Sequence, residues 1–281
     1  MIKLIATDMD GTLFDRPLHV PAETFELVHE LRRHGIHFAA SSGRRFAELA
    51  DVFAPIADEM DFVCSNGAEV YVDGRLISRE LYSHEALLAL GEVVNQFDCL
   101  HLLARAGDVA YCFDPPQKFE RLPRRPGLDN DVYLNKVPGP EAAIFNGVIL
   151  SEDVSVVPDI VYALGVELGD IWTFAWTGSR GIDYMPKHVS KSSGIRKVIR
   201  HYLLTPDEVM MYGDSMNDYD IFRIVGHPTA MANALYAPKQ VATRIIESNL
   251  ERGVQRDMKR LLEEMRAGGD GSKTLRFGAK S

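Results

Sequence analysis

This sequence has little cysteine, no long apolar run and no surplus of positive charge. Its three cysteines, Cys64, Cys99 and Cys112, are odd in number, form no CxxC pair and lie among apolar neighbours. That pattern excludes a disulfide framework and marks the thiols as packing residues, in a reduced, cytoplasmic compartment. The run from Met1 to Thr7 meets Asp8 before it reaches the length of a signal-peptide core. No stretch approaches the roughly 20 apolar residues of a membrane span, so no membrane partner is expected. With 31 Lys and Arg against 40 Asp and Glu, the net charge is -9, which argues against a nucleic-acid partner gripped through a broad basic surface. A small anionic substrate needs only a few well-placed cations and stays compatible with an acidic chain. Internal repeats are also missing.

What is present is an alternation. Residues Ile2 to Thr7 are nearly continuously apolar, as in a parallel strand buried on both faces, and Asp8 stands at the end of that run. Phe25, Val28 and Leu31 recur at helical spacing between Pro21 and His34, and Gly35 stops the helix before a second strand, Ile36 to Ala40. Ser41-Ser42-Gly43-Arg44 follows. A helix from Phe46 to Phe53 and a strand at Phe62-Val63-Cys64 come next, with Ser65-Asn66-Gly67 at its end. The alternation resumes with a helix from Lys191, a strand Val209 to Tyr212 with the loop Gly213-Asp214-Ser215, a strand near Thr229 to Met231, and a last helix Gly253 to Met265. This predicts an α/β fold with a doubly wound, Rossmann-like parallel sheet. Such sheets bind ligands beyond the carboxyl ends of their strands, where this chain gathers Asp, Ser, Asn and Gly.

The middle third differs. Helices Glu85 to Phe97 and Pro158 to Leu168 flank hairpin-like pairs, Leu100 to Ala104 with Val109 to Phe113, and Ile171 to Trp176 with Ile182 to Met185. The expected organisation is a core of residues 1–83 and 187–266, an inserted α+β module of residues 84–186, and a disordered tail, 267–281. Glu120 to Asn135 is expected to be a loop. Trp172 and Trp176 should share one strand face, while Met9 and Leu13 should pack.

Asp8-Met9-Asp10-Gly11 places two carboxylates two residues apart directly after a strand. An acidic turn has the same composition, but a calcium loop does not fit: its glycine belongs at the sixth position, not the fourth, and the twelfth position is His19. Further along stand Ser42 in a Ser-Gly-Arg turn, Lys191 opening a helix, and Asp214, Asn217 and Asp218 in a Gly-Asp-Ser-x-Asn-Asp loop. Taken in this order, these residues resemble the four motifs of the haloacid dehalogenase superfamily. The inserted module, with Ser65-Asn66-Gly67-Ala68, Met231-Ala232-Asn233-Ala234 and Glu247-Ser248-Asn249 to Gly253-Val254, resembles the Cof-like sugar-phosphatase branch, which carries a large cap of type C2. The likeness covers all but the tail.

The resemblance implies a magnesium-dependent phosphatase whose substrate is a small phosphorylated metabolite, with phosphorylated sugars as the leading class. Asp8 would be the nucleophile that forms an aspartyl phosphate, and Asp10 the general acid and base. Asp8, the backbone carbonyl of Asp10 and Asp214 would hold Mg2+. Ser42, Gly43, Lys191 and Asn217 would bind phosphate, Ser42 replacing the more usual Thr but keeping the hydroxyl. Asp218 would orient metal-bound waters or Lys191. A lysine in a first helical turn is electrostatically unfavourable, which favours a functional reason for Lys191. Arg44 and Arg45 fit either a surface ion pair or a substrate contact; most of the nine histidines have no matching partner, and none is assigned a role.

Two rival readings share much of this set. A phosphomutase would use the same intermediate, but its relatives usually carry a different second motif. A non-catalytic phosphometabolite-binding protein would need neither nucleophile nor acid/base. The inserted module suits a lid that selects substrates.

Overall fold

The first apolar run forms strand β1 (Leu4–Asp8), and all five of its residues are buried. The computed structural model describes residues 1–123, 132–176 and 180–267. After β1 come α1 (Glu23–Arg33), β2 (His37–Ser41), α2 (Phe46–Val52) and β3 (Asp61–Cys64). Next are β4 (Glu69–Val72) and β5 (Arg75–Arg79), around Asp73-Gly74. The inserted segment contains α3 (His84–Val94), β6 (Leu100–Ala106), β7 (Val109–Cys112), α4 (Pro116–Phe119) and β8 (Val132–Asn135). It ends with β9 (Asn146–Ser151), α5 (Val157–Leu168), β10 (Trp172–Trp176) and β11 (Gly181–Pro186). The chain then returns through α6 (Lys191–His201), β12 (Val209–Gly213), α7 (Met216–Phe222) and β13 (His227–Met231). Last are α8 (Tyr236–Val241), β14 (Arg244–Ile246) and α9 (Gly253–Ala267).

Two compact units result, one of Met1–Ser78 with the chain from Lys191 onward, the other of Arg79–Ser190. Their limits lie slightly outside 83 and 187, for a physical reason. Tyr82 packs on Trp172 and Tyr184 and donates its hydroxyl proton to the Tyr184 carbonyl at 3.1 Å, so this linker stretch belongs to the inserted unit.

The first unit is built on an eight-stranded sheet in the order β14-β13-β12-β1-β2-β3-β4-β5. β1 pairs in parallel with both β2, Leu4 opposite His37, and β12, Leu4 opposite Val209. β3 and β4 are antiparallel. Because the crossover direction reverses beside β1, the carboxyl end of β1 is where a doubly wound sheet opens its crevice. Helices α1 and α9 pack together, as do α6 and α7. Leu4, Ile5, Leu31, Phe38, Phe62, Met211 and Ile221 are all fully buried in one continuous core, each contributing roughly 1.5–3 kcal/mol. Met9 and Leu13 join it.

The inserted unit has a six-stranded sheet, β10-β11-β9-β6-β7-β8, antiparallel except where β7 meets β8. Here one expectation is corrected. Val132–Asn135, expected to be loop, is strand β8, which draws its hydrogen bonds from β7 and leaves its own side chains largely exposed, so it has no period of its own. Residues 124–131 of the expected loop, 177–179 of the expected second hairpin connection and 268–281 of the expected tail lie outside the described residues. Trp172 is buried and Trp176 about half exposed at the two ends of β10. Among the described residues, no helix is long and apolar enough to cross a membrane.

Candidate active site

Asp8 ends β1, and its burial is nearly complete. Lys191 opens α6 and donates from Nζ to Oδ1 of Asp8 at 2.5 Å and to Oδ1 of Asp218 at 3.0 Å. All three of these residues are buried. The other oxygen of Asp218 accepts the backbone N–H groups of Asp214 at 3.1 Å and Ser215 at 3.2 Å, fixing the loop after β12. Gly213 permits this: a β-carbon there would sit 2.7 Å from the Asp218 β-carbon.

Asp214 is the third carboxylate. Its Oδ1 accepts the Thr12 hydroxyl at 3.0 Å, which ties the β12 loop to the wide turn Met9–Leu13 that follows β1. Gly11 in that turn has φ +81°, and a β-carbon there would lie 2.5 Å from Oδ2 of Asp214. Glycine is therefore required for both conformation and approach. Oxygens of Asp8, Asp214 and Asp218 lie within 4.8 Å of one another.

Three carboxylates share one ammonium. Burial pushes the Asp8 carboxyl well above its usual range, and Asp218 pushes it further, against the pull of Lys191. Asp214 is raised by burial and then by Asp218. Burial opposes the charge of Lys191, but Asp218 and Asp8 outweigh it and raise its proton affinity. This surplus of negative charge, presented by oxygen donors with no His or Cys in the cluster, fits a hard divalent cation such as Mg2+. Asp218 already gives its oxygens to Lys191 and two backbone donors, which leaves Asp8 and Asp214 as the carboxylates available to a metal.

Asp10 is placed differently. Its side chain is 54% exposed, and both oxygens are held by Arg44, from Nε at 2.9 Å and Nη2 at 2.8 Å. This two-pronged geometry is the strong form of a carboxylate hydrogen bond. Arg44 also donates its backbone N–H to Ser42 Oγ at 3.2 Å. One residue thus links the two loops that carry Asp10 and Ser42. Ser42 is buried after β2, its N–H donating to the Val63 carbonyl. The backbone of Ser65 and Asn66 donates to the carbonyls of Arg44 and Ser42, and the Asn66 amide would lie 3.1 Å from a β-carbon at Gly43. Asn217 is exposed and accepts the Ser215 hydroxyl at 2.7 Å.

Asp8, Asp214, Asp218 and Lys191 therefore form one buried constellation, with Ser42 and Asp10 on adjoining loops. Sequence reasoning left Arg44 undecided between two roles and gave Asn66 none. The signal for Asn66 was its place in a polar Ser-Asn-Gly turn at a strand end, where it adopts φ +55°.

The model of the haloacid dehalogenase-like hydrolase family matches residues 5–258. Over 265 residues the chain is 29% identical to the 5-amino-6-(5-phospho-D-ribitylamino)uracil phosphatase YbjI of Escherichia coli, covering 90% of this chain and 93% of that protein. It is 26% identical to the phosphoglycolate phosphatase of Methanopyrus kandleri, covering 95% of this chain and all of that one. In fold it is similar to a haloacid dehalogenase-like hydrolase from B. subtilis, with a TM-score of 0.75, 21% identity and coverage of 92% of this chain and 100% of that one. With that match spanning the sheet and every residue of the buried constellation, the chain belongs to the haloacid dehalogenase-like hydrolases, in their Cof-like branch.

Proposed function

We propose that this enzyme is a Mg2+-dependent phosphatase that releases orthophosphate from a small phosphorylated metabolite, a sugar phosphate by class, through an aspartyl phosphate on Asp8. The observation that carries the reading is the buried Asp8 carboxylate at the end of the central strand, 2.5 Å from Lys191. Phosphatases among its relatives support the reaction type. A bound Mg2+, held by Asp8, Asp214 and the Asp10 carbonyl, would supply positive charge that lets an anionic phosphate approach a carboxylate.

In the first half-reaction an Asp8 oxygen attacks phosphorus, the bond to the leaving oxygen breaks, and Asp10 gives that oxygen a proton. In the second, water attacks the phosphorus while Asp10 takes up its proton. The Asp8–phosphate bond breaks, orthophosphate leaves, the Asp8 carboxylate is restored and Asp10 again carries the proton it gave up. Lys191 holds Asp8 in place and offsets phosphoryl charge, and the Ser42 hydroxyl donates to a phosphoryl oxygen. Arg44 keeps Asp10 on the phosphate-loop side of the turn. Gly43 leaves room for a phosphoryl oxygen at the backbone, and Asn217 borders it.

The inserted unit is proposed as the cap, the source of leaving-group selectivity. The acidic net charge and the free cysteines support the reading of a cytoplasmic enzyme that needs neither a nucleic acid nor a membrane as a partner. Orthophosphate release from a panel of phosphorylated metabolites, with Mg2+ and after its removal by chelation, tests the proposal. Turnover that survives complete chelation contradicts it. Transfer of the phosphoryl group to a second sugar hydroxyl, in place of water, would make the enzyme a mutase.

A further inference from the structure

Three amide side chains from the C-terminal part of the first unit converge on the turn that carries Asp10. That turn is irregular, with Asp10 at φ −74°, ψ 121° and Gly11 at φ 81°, ψ −3°, so its carbonyls do not follow a helical ladder. Asn233, just after β13, donates from Nδ2 to the Gly11 carbonyl at 2.8 Å. Asn249, just before α9, donates from Nδ2 to the Phe14 carbonyl at 2.9 Å. Gln255, within α9 and fully buried, donates from Nε2 to the Leu13 carbonyl at 3.4 Å and to the Thr24 hydroxyl at 3.0 Å.

The first two amides are themselves joined, since the Asn249 backbone N–H donates to Oδ1 of Asn233 at 3.2 Å. Asn233 must therefore donate on one side and accept on the other. An amide does both through separate atoms; a carboxylate lacks the donor and an aliphatic side chain lacks each. These contacts give a physical role to Asn233 and Asn249 in the Met231–Ala234 and Glu247–Asn249 segments, which the chemistry of phosphoryl transfer does not itself use.

We propose that Asn233, Asn249 and Gln255 are positioning residues that fix the backbone of Gly11 to Phe14, and through it the location of Asp10 relative to Asp8. The inference rests on the roles of Asp8 and Asp10 given above. Its physical basis is that the Asp10 side chain is half exposed and gripped from one side by Arg44, so its placement depends on the backbone beneath it. A shift of about 1 Å in a proton-transferring group costs on the order of 100-fold in rate.

A purely structural role would predict something else: fewer folded molecules, each with normal chemistry. The test compares Asn233→Ala, Asn249→Ala, Asn249→Asp and Gln255→Glu, alone and combined with Asp10→Asn. Asn249→Asp keeps the side-chain volume but exchanges the donor for a charged acceptor, whereas Asn249→Ala removes the donor without adding charge; the two are read together, and the thermal melt identifies any variant that fails to fold. For each, kcat and KM are measured on aryl phosphates of graded leaving-group acidity, the steady-state phosphoenzyme fraction is measured by rapid quench, and a thermal melt is recorded. The expected result is a fall in kcat on the order of tenfold with KM little changed, growing as the leaving group worsens, and a higher phosphoenzyme fraction. In the Asp10→Asn background the same substitutions should cost almost nothing more, because both changes act on one group.

Losses equal for every leaving group, or fully additive with Asp10→Asn, overturn the amide proposal and leave the mechanism standing. Asp10→Asn that neither accumulates phosphoenzyme nor responds to the leaving group overturns the role of Asp10, and the positioning proposal with it.

Discussion

The two ends of the large sheet each carry a buried carboxylate with raised proton affinity, and they differ in what surrounds it. At the carboxyl end of β1, Asp8 meets Lys191 and two further carboxylates. At the amino end of β3, Asp61 accepts the Tyr202 hydroxyl at 3.0 Å and the Asp73 N–H at 3.3 Å, and its Oδ2 has no hydrogen-bond partner among the described residues. Burial pushes Asp61 up to about 7, against the pull of these two donors. A raised carboxyl is thus no mark of catalysis by itself. What distinguishes Asp8 is convergence: an ammonium, unbalanced negative charge and a hydroxyl loop, all at the end of the sheet where the strand order reverses.

The comparison breaks most visibly under one substitution made twice. Asp8→Asn should abolish phosphate release, by about 10⁴-fold or more, with the fold intact, because the amide is nearly isosteric but not nucleophilic. Asp61→Asn should leave turnover unchanged. Activity assays with melting curves on both variants check this, and a surviving Asp8→Asn enzyme would remove the distinction between the two ends.

Next in size is Lys191→Met, which takes from the Asp8 cluster the ammonium that bonds both Asp8 and Asp218. It should slow all substrates by a common factor on the order of 10²–10³, as expected when a preorganised charge donor is lost. Ser42→Ala should do the same at about tenfold, the loss of one hydroxyl donor to an anion. Unequal effects among substrates in either variant would assign these residues to leaving-group recognition instead.

The smallest effect belongs to Asp61 and concerns stability. Its carboxyl holds a proton in the folded state up to about pH 7 but loses it near the ordinary value of 3.8 when unfolded. The folded state therefore binds more protons across that window, and stability falls as pH rises through it. Between pH 6 and 8 the loss is about 1 kcal/mol. Melting temperatures of wild type and Asp61→Asn across this range should converge at low pH and separate at high pH, the variant being the more stable. Asn keeps the acceptor for Tyr202 and puts an uncharged amide where Oδ2 lies. Parallel curves would contradict the assignment.

The catalytic end was more legible in the sequence than the opposite one. Asp8, Ser42 and Asp214 each follow an apolar strand directly, so local pattern alone put them at strand ends on one side of the sheet. Lys191 announced itself by standing at a helix start where the dipole disfavours it. Asp61 carried no such signal, because its partners are Asp73, in the turn after β4, and Tyr202, just past α6 and 141 positions away. Nothing in the sequence singled out Gln255, a polar residue near the start of the last helix, yet it is buried against Leu13 and Thr24. The Arg44–Asp10 pair spans 34 positions, and no local rule selects Arg44 over Arg45. Among nine histidines, His101 is fully buried between Asp114 at 2.6 Å and Glu152 at 3.2 Å, a partnership that spacing did not reveal. Periodicity reports elements and strand ends; pairings between distant segments, and the short edge strand Val132–Asn135, depend on contacts that only the folded chain supplies.

The central claim is that the phosphoryl group rests on Asp8 between substrate and water. Asp10→Asn enzyme, mixed with an aryl phosphate and Mg2+ and quenched in acid within one turnover, tests it by intact mass and peptide mapping. The account predicts a gain of one phosphoryl group, acid-stable and alkali-labile, on the peptide carrying Asp8, and its absence from Asp8→Asn. A protein that turns over substrate with no phosphorylated form, or that carries the group on another residue, would contradict it.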